Sequence, residues 1–354
     1  MCTSAEYNEP MDNNVGATAR VGIRDVAAAA GVSTTTVSHA LSGARAINAE
    51  TRVRVLDAAK RLGYSPDPRA RGLRSARTYT IGLLSDTIAV TPYAGQMISG
   101  AQDAAAEHQS VLMILDSHAI LEQEQLGIRT LRDHRVDGLV YARMYHQEVT
   151  VPQELDGVSV VLANASTSDS QFSSIVPDEE GIGLEATRHL TSFGHRRIGF
   201  TTIPESVPAA WGRERGYRKG LEEAGITVDE SLIVPTSGDA AGGRAAARLL
   251  LDRPNRPTAI FCFNDEAAMG VYQAARELGL SIPHDVSVVG VDDLQLISLA
   301  LVPTLTTIAL PHYEMGRWAV SRLFEQVGAK PTDAIQKKLP CPLIQRGSVA
   351  PPSS

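Results

Sequence analysis

Cysteine is scarce in this sequence of 354 residues. The three cysteines, Cys2, Cys262 and Cys341, have no paired spacing that suggests a zinc site or a disulfide framework. Nowhere do 18 apolar residues run together, and residues 1–19 lack the apolar segment of a signal peptide. These absences predict a cytoplasmic protein with no membrane partner and a disordered tail over residues 1–19.

Motifs that carry catalytic chemistry are also missing. No P-loop, GxSxG elbow, HExxH or clustered His/Cys pattern can be read, so we expect neither an enzyme nor a cofactor. The stretch from Gly181 to Ala186 imitates the dinucleotide-binding GxGxxA, but acidic residues 178–180 stand where a pyrophosphate would bind. We interpret this stretch as the start of a helix.

Positive charge is concentrated at one end of the chain. Residues 20–77 hold 11 Lys/Arg and 4 Asp/Glu, a net charge of +7, whereas the whole chain carries −7 and the remainder therefore −14. Clustered cations neutralise phosphates whatever the overall charge of the protein. A basic head on an acidic body favours a nucleic-acid contact confined to the amino-terminal end.

Residues 20–63 predict three short helices. Apolar positions recur at helical spacing from Ile23 to Ala30, Gly31 ends that helix, and Ser33 can cap a second one. Asn48 can cap a third helix, whose apolar face holds Val55, Leu56, Ala59 and Leu62. Two helices around a glycine turn are typical of a helix-turn-helix.

The outward face of the second predicted helix carries only short hydrogen-bonding side chains, namely Thr34, Thr35, Ser38 and His39. Short side chains let a helix lie deep in the major groove, where Ser and Thr can pair with any base and His39 can donate to a guanine edge. This face therefore favours base reading. The alternative interpretation is that these residues only cap the helix or tolerate solvent.

The segment IRDVAAAAGVSTTTVSHAL, from Ile23 to Leu41, resembles the headpiece of the lactose-repressor (LacI) family, and the similarity continues at residues 50–52 and 62–66. Its STTTVSH is similar to the recognition helix of purine-responsive family members. The resemblance implies that the helix reads double-stranded operator DNA. Its implied base-facing residues are Thr34, Thr35 and His39, and its implied backbone-holding residues are Thr36 and Ser38.

Residues 64–77 are predicted to be a hinge or linker. The stretch 64–68 breaks the helical pattern, and Gly72 disfavours a helix in so short a segment. The resemblance implies that DNA orders it as a hinge helix, with Leu73 wedged into the minor groove and Arg74 against the groove or its phosphates. A solvated linker is the alternative.

Residues 78–347 alternate short apolar runs with helical stretches, which predicts parallel sheets covered by helices. The predicted strands are 80–84, 111–116, 138–142, 158–163, 197–201, 259–263 and 286–290. The resemblance also covers this region, in motifs such as FNDEAAMGV at 263–271, and implies a periplasmic sugar-binding fold.

The expected fold class is therefore an amino-terminal all-α helix-turn-helix headpiece plus a two-lobed α/β effector domain like the periplasmic binding proteins. We expect one lobe to comprise about 78–177 plus 309–338 and the other about 178–308 plus 339–347. Residues 348–354 are expected to form a tail.

Polar side chains that follow the predicted strands are candidates for a ligand cleft, because ligands bind at the carboxyl ends of parallel strands. They are Asp86, Tyr93, Arg143, Asn164, Asn264 and Asp292. The resemblance adds Arg213, and it places both Arg213 and Asp292 where the family binds its ligand. Carboxylates and amides bind hydroxyls, and Tyr93 or Trp211 could cover the apolar face of a sugar ring.

A carbohydrate is accordingly the expected effector. Purine-responsive members of the family supply a stacking aromatic in the segment that reads SGDAAGGR here, at 237–244, and no aromatic is present. A nucleobase or another metabolite is the alternative, and a solute-binding protein or an α/β enzyme are remote ones. Because one headpiece offers few base contacts, we expect a homodimer on a palindromic operator.

Overall fold

The computed structural model describes residues 21–42, 45–64, 77–204, 206–326 and 333–353. They fall into two compact units that divide between Ala76 and Arg77. The tail predicted over 1–19 and residues 65–76 of the predicted hinge, including Leu73 and Arg74, lie outside the described residues. Within the described ranges, no helix has the length and apolar character needed to cross a membrane.

The described part of the amino-terminal unit contains three helices, as predicted. They are α1 (Ile23–Ala30), α2 (Thr34–Ser42) and α3 (Ala49–Arg61). Gly31 ends α1 in the left-handed region at φ 65°, and the Ser33 hydroxyl accepts from the amide of Thr36 at 3.1 Å. Asn48 caps α3 by accepting from the amide of Glu50 at 2.9 Å. The predicted caps of α2 and α3 are therefore confirmed.

The core of this unit is small, with Val26, Val37 and Val55 fully buried where the three helices meet. Two leucines predicted to belong to this core are largely outside it: Leu56 is 46% exposed and Leu62 37% exposed. Leu56 follows Val55 by one residue, which turns it about 100° around the helix and away from the core. Leu62 lies beyond the last turn of α3.

The carboxyl-terminal unit contains two six-stranded sheets, and we call the first with its helices the N-lobe. Its strand order is β11-β5-β4-β3-β1-β2, and all its pairings are parallel. The strands are β1 (Thr80–Ser85), β2 (Val111–Asp116), β3 (Gly138–Glu148), β4 (Val160–Ser166), β5 (Ser173–Pro177) and β11 (Gln336–Leu339). Its helices are α4 (Ala94–Glu107), α5 (Leu121–Asp133) and α11 (His312–Gln326).

The second sheet with its helices forms the C-lobe. Its strand order is β12-β10-β9-β8-β6-β7, and only the pairing of β12 with β10 is antiparallel. The strands are β6 (Ile198–Thr202), β7 (Ile233–Pro235), β8 (Ala259–Phe261), β9 (Ser287–Asp292), β10 (Thr306–Ala309) and β12 (Leu343–Ile344). The helices are α6 (Glu179–Ser192), α7 (Pro208–Glu223), α8 (Ala240–Leu251), α9 (Asp265–Glu277) and the short α10 (Gln295–Ser298).

Each sheet is covered by helices on both faces, because its strands are apolar on both sides. In the N-lobe, Met97 of α4 and Leu323 of α11 pack in one core, and Ile128 of α5 packs in another. In the C-lobe, helices α8 and α9 cover one face and α6 and α7 the other. This layered α/β architecture is the predicted one.

The chain passes three times between the lobes, after β5, after β10 and after β11. At the first and third of these passages the backbones meet, since the amide of Asp178 donates to the carbonyl of Leu339 at 2.9 Å. In both sheets the strand order reverses next to the first strand, between β1 and β3 and between β6 and β8. The carboxyl ends of strands at such a switch point form a crevice where ligands bind.

Pairs of glycines let three pairs of helices approach closely. A Cβ atom on either glycine of a pair would lie 2.0–2.2 Å from a carbonyl oxygen of the facing helix. The pairs are Gly100 with Gly316 (α4 and α11), Gly183 with Gly216 (α6 and α7) and Gly243 with Gly270 (α8 and α9). The glycines that imitate a dinucleotide motif thus lie inside α6, and Gly183 serves helix packing.

The segment predicted as a tail from residue 348 begins packed against the C-lobe instead. Ser348 is fully buried, and its hydroxyl donates to the carbonyl of Val288 at 2.6 Å. The carbonyl of Ala350 contacts a ring nitrogen of the buried His195 at 2.9 Å. Backbone and side-chain hydrogen bonds therefore hold residues 348–350 to the sheet, although their sequence has no strand pattern.

Candidate functional site

The outward face of α2 presents the short side chains that the sequence predicts for base reading. Thr34 and Thr35 are exposed, whereas Thr36, Ser38 and His39 are half-buried beside the core residue Val37. The hydroxyl of Thr36 lies 2.9 Å from that of Ser33, so it is already engaged in the cap of the helix. Thr34 and Thr35 are the side chains most open to a groove.

A cavity of about 30 Å³ lies between the N-lobe and the C-lobe, and we call it the interlobe cavity. Five of the eight predicted ligand residues line it. They are Tyr93 and Asn164 from the N-lobe, and Arg213, Asn264 and Asp292 from the C-lobe. Tyr93 and Asn264 immediately precede helices, Asn164 and Asp292 lie near the carboxyl ends of β4 and β9, and Arg213 lies in the second turn of α7.

Two other predicted residues, Asp86 and Arg143, line a neighbouring pocket of about 370 Å³ in the N-lobe. Asp86 accepts from the amide of Met144 and from the side chain of Gln147, both at 3.0 Å, and so holds the irregular end of β3. Arg143 forms an ion pair with Glu124 at 2.9 Å. Tyr145 lines both this pocket and the interlobe cavity.

Trp211 is not placed with the other candidates. It is 47% exposed, and the guanidinium of Arg215 lies over its ring at 4.7 Å. Residues two apart on a helix point in directions about 200° apart, so the turn of α7 that directs Arg213 inward directs Trp211 outward. The aromatic rings that line the interlobe cavity are those of Tyr93, Tyr145 and Phe263.

Arg213 is the centre of the interlobe cavity. Its side chain is 3% exposed, and its Nε donates to Oε2 of Glu179 at 2.8 Å. Its Nη1 donates to the carbonyl of Phe263, and its guanidinium lies 4.4 Å from the centre of the Phe263 ring. Burial raises the pKa of Glu179, and the guanidinium opposes this shift. An ion pair is thus built into the wall of the cavity.

Two lining residues have unusual backbone conformations. Asn164 lies in the left-handed region at φ 54°, which Asn tolerates, and Asp292 has φ 114°. Asn164 is fully buried, yet its Oδ1 has no hydrogen-bond partner among the described residues. Burial raises the pKa of Asp292 well above its ordinary value, against the attraction of Arg213. Strained backbone and an unsatisfied buried oxygen are features of ligand sites.

Asn264 lines the cavity, but its side chain hydrogen-bonds to the neighbouring backbone. Its Oδ1 accepts from the amide of Ala267 at 2.8 Å and caps α9, while its Nδ2 donates to the carbonyl of Gly238 at 2.8 Å. Both polar ends of this side chain are therefore engaged. Asn264 fixes the start of α9 and the segment that precedes α8.

Glu179, His146 and His312 were not predicted from the sequence. His146 lies with Nδ1 3.7 Å from Oε1 of Glu179, and neither atom has a hydrogen-bond partner in the described chain. His312 stacks on Tyr93 at 4.4 Å, and both its ring nitrogens are buried without a partner. Burial, and then Arg213, lower the pKa of His146 to about 4 and that of His312 to about 3.

Two family profiles match the sequence. The profile of bacterial regulatory proteins of the lacI family matches residues 22–67, which include all three helices of the amino-terminal unit. The profile of the periplasmic binding protein-like domain matches residues 187–349.

Similar proteins extend over nearly the whole chain. The HTH-type transcriptional repressor PurR of Edwardsiella ictaluri (strain 93-146) is 36% identical over 332 residues, which cover 93% of this chain and 96% of that relative. A lac repressor dimer bound to operator and the anti-inducer ONPF is 26% identical, with a TM-score of 0.80, and covers 93% of this chain and 99% of its own. The complex of the transcriptional regulator CelR with cellobiose is 30% identical, with a TM-score of 0.69, and the match covers 93% of this chain and 100% of the CelR chain.

His312→Phe should make the protein more resistant to acid. The pKa of His312 is lowered to about 3 in the folded state, so below pH ~6.5 the unfolded chain takes up a proton that the folded chain does not. Stability is therefore lost as the pH falls from that value towards the folded pKa. At pH 5 this loss is about 2 kcal/mol, and the phenylalanine, which keeps a ring against Tyr93, avoids it.

The measurement is the free energy of unfolding in urea at pH 7.5 and pH 5 for both proteins. The difference in unfolding free energy between variant and wild type reports on His312 alone. Burial raises the pKa of Asp265 to about 7, so Asp265 stabilises the fold at low pH, but it does so equally in both proteins. The same difference at the two pH values would contradict the assignment.

Proposed function

This chain belongs to the lacI family of bacterial regulatory proteins, and from that premise we propose that a carbohydrate bound among the residues of the interlobe cavity controls its binding to operator DNA. At about 30 Å³ the cavity has room for about one water, so the lobes must move apart to admit the sugar. The protein is a transcriptional repressor of that family and not an enzyme. DNA binding resides in the helix-turn-helix of the amino-terminal unit.

The support for base reading is the face of α2. Thr34 and Thr35 are exposed and Ser38 and His39 half-buried, on a helix that has no acidic residue in its first turn. Hydroxyls and an imidazole match the donors and acceptors on base edges, and an acidic side chain would be repelled by phosphates. We assign Thr34, Thr35 and His39 to bases, and Thr36 and Ser38 to the DNA backbone.

The observation that carries the effector proposal is the polar lining of the interlobe cavity. Arg213, Asp292 and Asn164 converge there from both lobes, and the buried Oδ1 of Asn164 has no partner among the described residues. Each hydroxyl of a sugar can both donate and accept a hydrogen bond, so it satisfies a mixed set of guanidinium, carboxylate and amide groups. Phe263 and Tyr93 supply apolar surface for the C–H face of the ring.

A nucleobase is the second candidate, because α2 resembles the recognition helix of purine-responsive family members. The aromatic rings around the cavity favour it less. Tyr93 is stacked on His312, and the ring of Phe263 is covered by Arg213, so each already has one face occupied. The segment 237–244, which begins α8, contributes no ring.

We also propose that the chain acts as a homodimer. Three apolar side chains of the C-lobe are exposed within seven residues, Leu296 by 81%, Leu299 by 52% and Val302 by 90%. Contiguous exposed apolar side chains mark interaction surfaces. A second copy seated on this surface would supply the second headpiece that a palindromic operator requires.

A thermal-shift screen of the full chain against neutral sugars, polyols, nucleobases and amino acids tests the effector proposal, because a ligand stabilises the state that it binds. We expect a carbohydrate to raise the melting temperature and to change operator affinity. Arg213→Lys should weaken its binding about tenfold or more, since the ammonium group cannot keep the planar contacts of the guanidinium.

Arg215→Lys is the matched control, because Arg215 lies on the same helix, is mainly exposed and pairs with Glu180 at the surface. It should bind the effector as the wild type does. A nucleobase that binds while no sugar does would favour the second candidate. A sugar whose binding ignores Arg213→Lys would place its site elsewhere.

Thr35→Ala should weaken operator binding by about 1–3 kcal/mol, because it removes a hydroxyl and a methyl group assigned to a base edge. The operator is first selected from random duplexes by the wild-type protein, and affinities are then measured at one salt concentration. Binding to unrelated duplex DNA is the internal control and should not change. An equal loss on both duplexes would assign Thr35 to the phosphates instead.

Val302→Asp should convert the dimer to a monomer, because it buries a charge in the proposed interface. Sedimentation velocity measures the change, and operator affinity should fall with it. Leu249→Asp is the control, since Leu249 is an exposed leucine on α8, away from residues 296–302 in the sequence. A wild-type monomer, or a variant that remains dimeric, would contradict this surface.

A further inference from the structure

The positive charge of the interlobe cavity is already neutralised from within. Arg213 is the only Lys or Arg among the lining residues, and Glu179 faces it at 2.8 Å with both side chains buried. Nε of the guanidinium donates to the carboxylate of Glu179, and Nη1 donates to the carbonyl of Phe263. Receptors for phosphate or carboxylate use guanidinium forks that are free to form paired hydrogen bonds with the anion. Two of the five N–H donors of Arg213, including Nε, are therefore engaged within the protein.

No other side chain of the lining carries a positive charge at neutral pH. Asp292 also lines it, so the charged side chains of the lining sum to −1 when Asp292 is ionised and to zero when it is protonated. His146 and His312 remain neutral at neutral pH, because burial lowers their pKa values to about 4 and 3. Lys338 is exposed and lies outside the lining.

Two of the three unsatisfied buried atoms of the cavity lining are acceptors, and the third, Nδ1 of His146, donates or accepts according to the tautomer of the ring. Oδ1 of Asn164 and Oε1 of Glu179 are buried without a hydrogen-bond partner in the described chain. The carboxylate of Asp292 accepts no hydrogen bond from the described residues either. A buried acceptor without a hydrogen-bond partner costs free energy. A ligand that donates hydrogen bonds to these oxygens therefore binds more tightly than a ligand that brings further acceptors.

Glu179 is held in place by the packing of its own helix. A Cβ atom on Gly212 would lie 2.5 Å from Cβ of Glu179, so α7 passes directly against this residue. The contact of Gly183 with Gly216 keeps the same two helices together. The helix that carries Glu179 is therefore fixed beside the helix that carries Arg213, which keeps the two side chains within reach of each other.

We infer that Glu179 is a specificity-determining residue that excludes anionic effectors, so that the effector is a hydroxyl-rich or amine-bearing molecule without a phosphate or carboxylate group. This inference rests on the proposed function, because it describes the ligand of the same cavity. An anion would have to compete with Glu179 for Arg213 and would leave a buried carboxylate unpaired. A free sugar or an amino sugar instead donates hydrogen bonds to the unsatisfied oxygens of Asn164 and Glu179.

The substitution Glu179→Gln tests this role with inorganic phosphate as the probe. It keeps the shape of the side chain and one donor-acceptor pair but removes the charge that neutralises Arg213. We expect phosphate to stabilise the variant saturably, with an affinity about tenfold or more above that of the wild type, a gain of about 1.4 kcal/mol or more. Adding Arg213→Lys should abolish that gain. Melting temperature is followed against phosphate, at ionic strength matched with sodium chloride.

Glu180→Gln is the matched control. Glu180 is the next residue of α6, but it pairs at the surface with Arg215 at 2.9 Å and with Lys219 at 3.5 Å. Its response to phosphate should equal that of the wild type. An equal gain in Glu180→Gln would mean that any lost carboxylate of this helix attracts phosphate, and the inference would fail.

Glu179→Ala serves if circular dichroism shows that Glu179→Gln does not fold, because it also removes the charge that neutralises Arg213 and should also admit phosphate. The inference is overturned if the folded variants respond as the wild type does. It is also overturned if the wild type itself binds phosphate saturably and loses this on Arg213→Lys, and a wild type without such binding supports it. Operator binding by the same samples reports separately on the proposed function.

Discussion

The close crossing of α6 and α7 is the constraint on which the effector cavity depends. Gly183 and Gly216 remove the Cβ atoms that would strike the facing backbone, and Gly212 leaves room for Glu179. At this separation the first turn of α6 and the second turn of α7 share one buried ion pair, between Glu179 and Arg213. The charge of the cavity and the orientation of the guanidinium over Phe263 follow from that pair. Burial of the two histidines lowers their pKa values, and Arg213 adds to that shift.

Much of the fold could be predicted because its longer elements have strong local signals. Strands such as 80–85 and 111–116 are apolar runs with clear ends, and the helices of the headpiece carry their own caps. The strands that were missed, β5, β7, β10, β11 and β12, have two to five residues, too few to show a period. The end of β3 was missed for another reason: Asp86, from a different strand, holds its irregular course through residues 144–147.

The candidate site was predictable where a residue's role depends on its own strand. Tyr93, Asn164, Asn264 and Asp292 were proposed because they follow strands, and the structure places all four around one cavity with Arg213. The contacts of His146 with Glu179 and of His312 with Tyr93 join distant parts of the chain, and no local sequence pattern predicts them. Trp211 shows the converse error, since proximity in sequence to Arg213 says nothing about the direction in which a helical side chain points.

The three passages of the chain between the lobes also determine when the sensor can exist during synthesis. The N-lobe sheet begins at residue 80 but is completed only by β11 at residues 336–339. Its hydrophobic core is incomplete until Met315 and Leu323 of α11 have been made. The C-lobe sheet is completed only by β12 at residues 343–344. Neither lobe is therefore finished before residues 336–344 have been made. A messenger RNA cut short before residue 336 encodes the whole recognition helix but neither finished lobe.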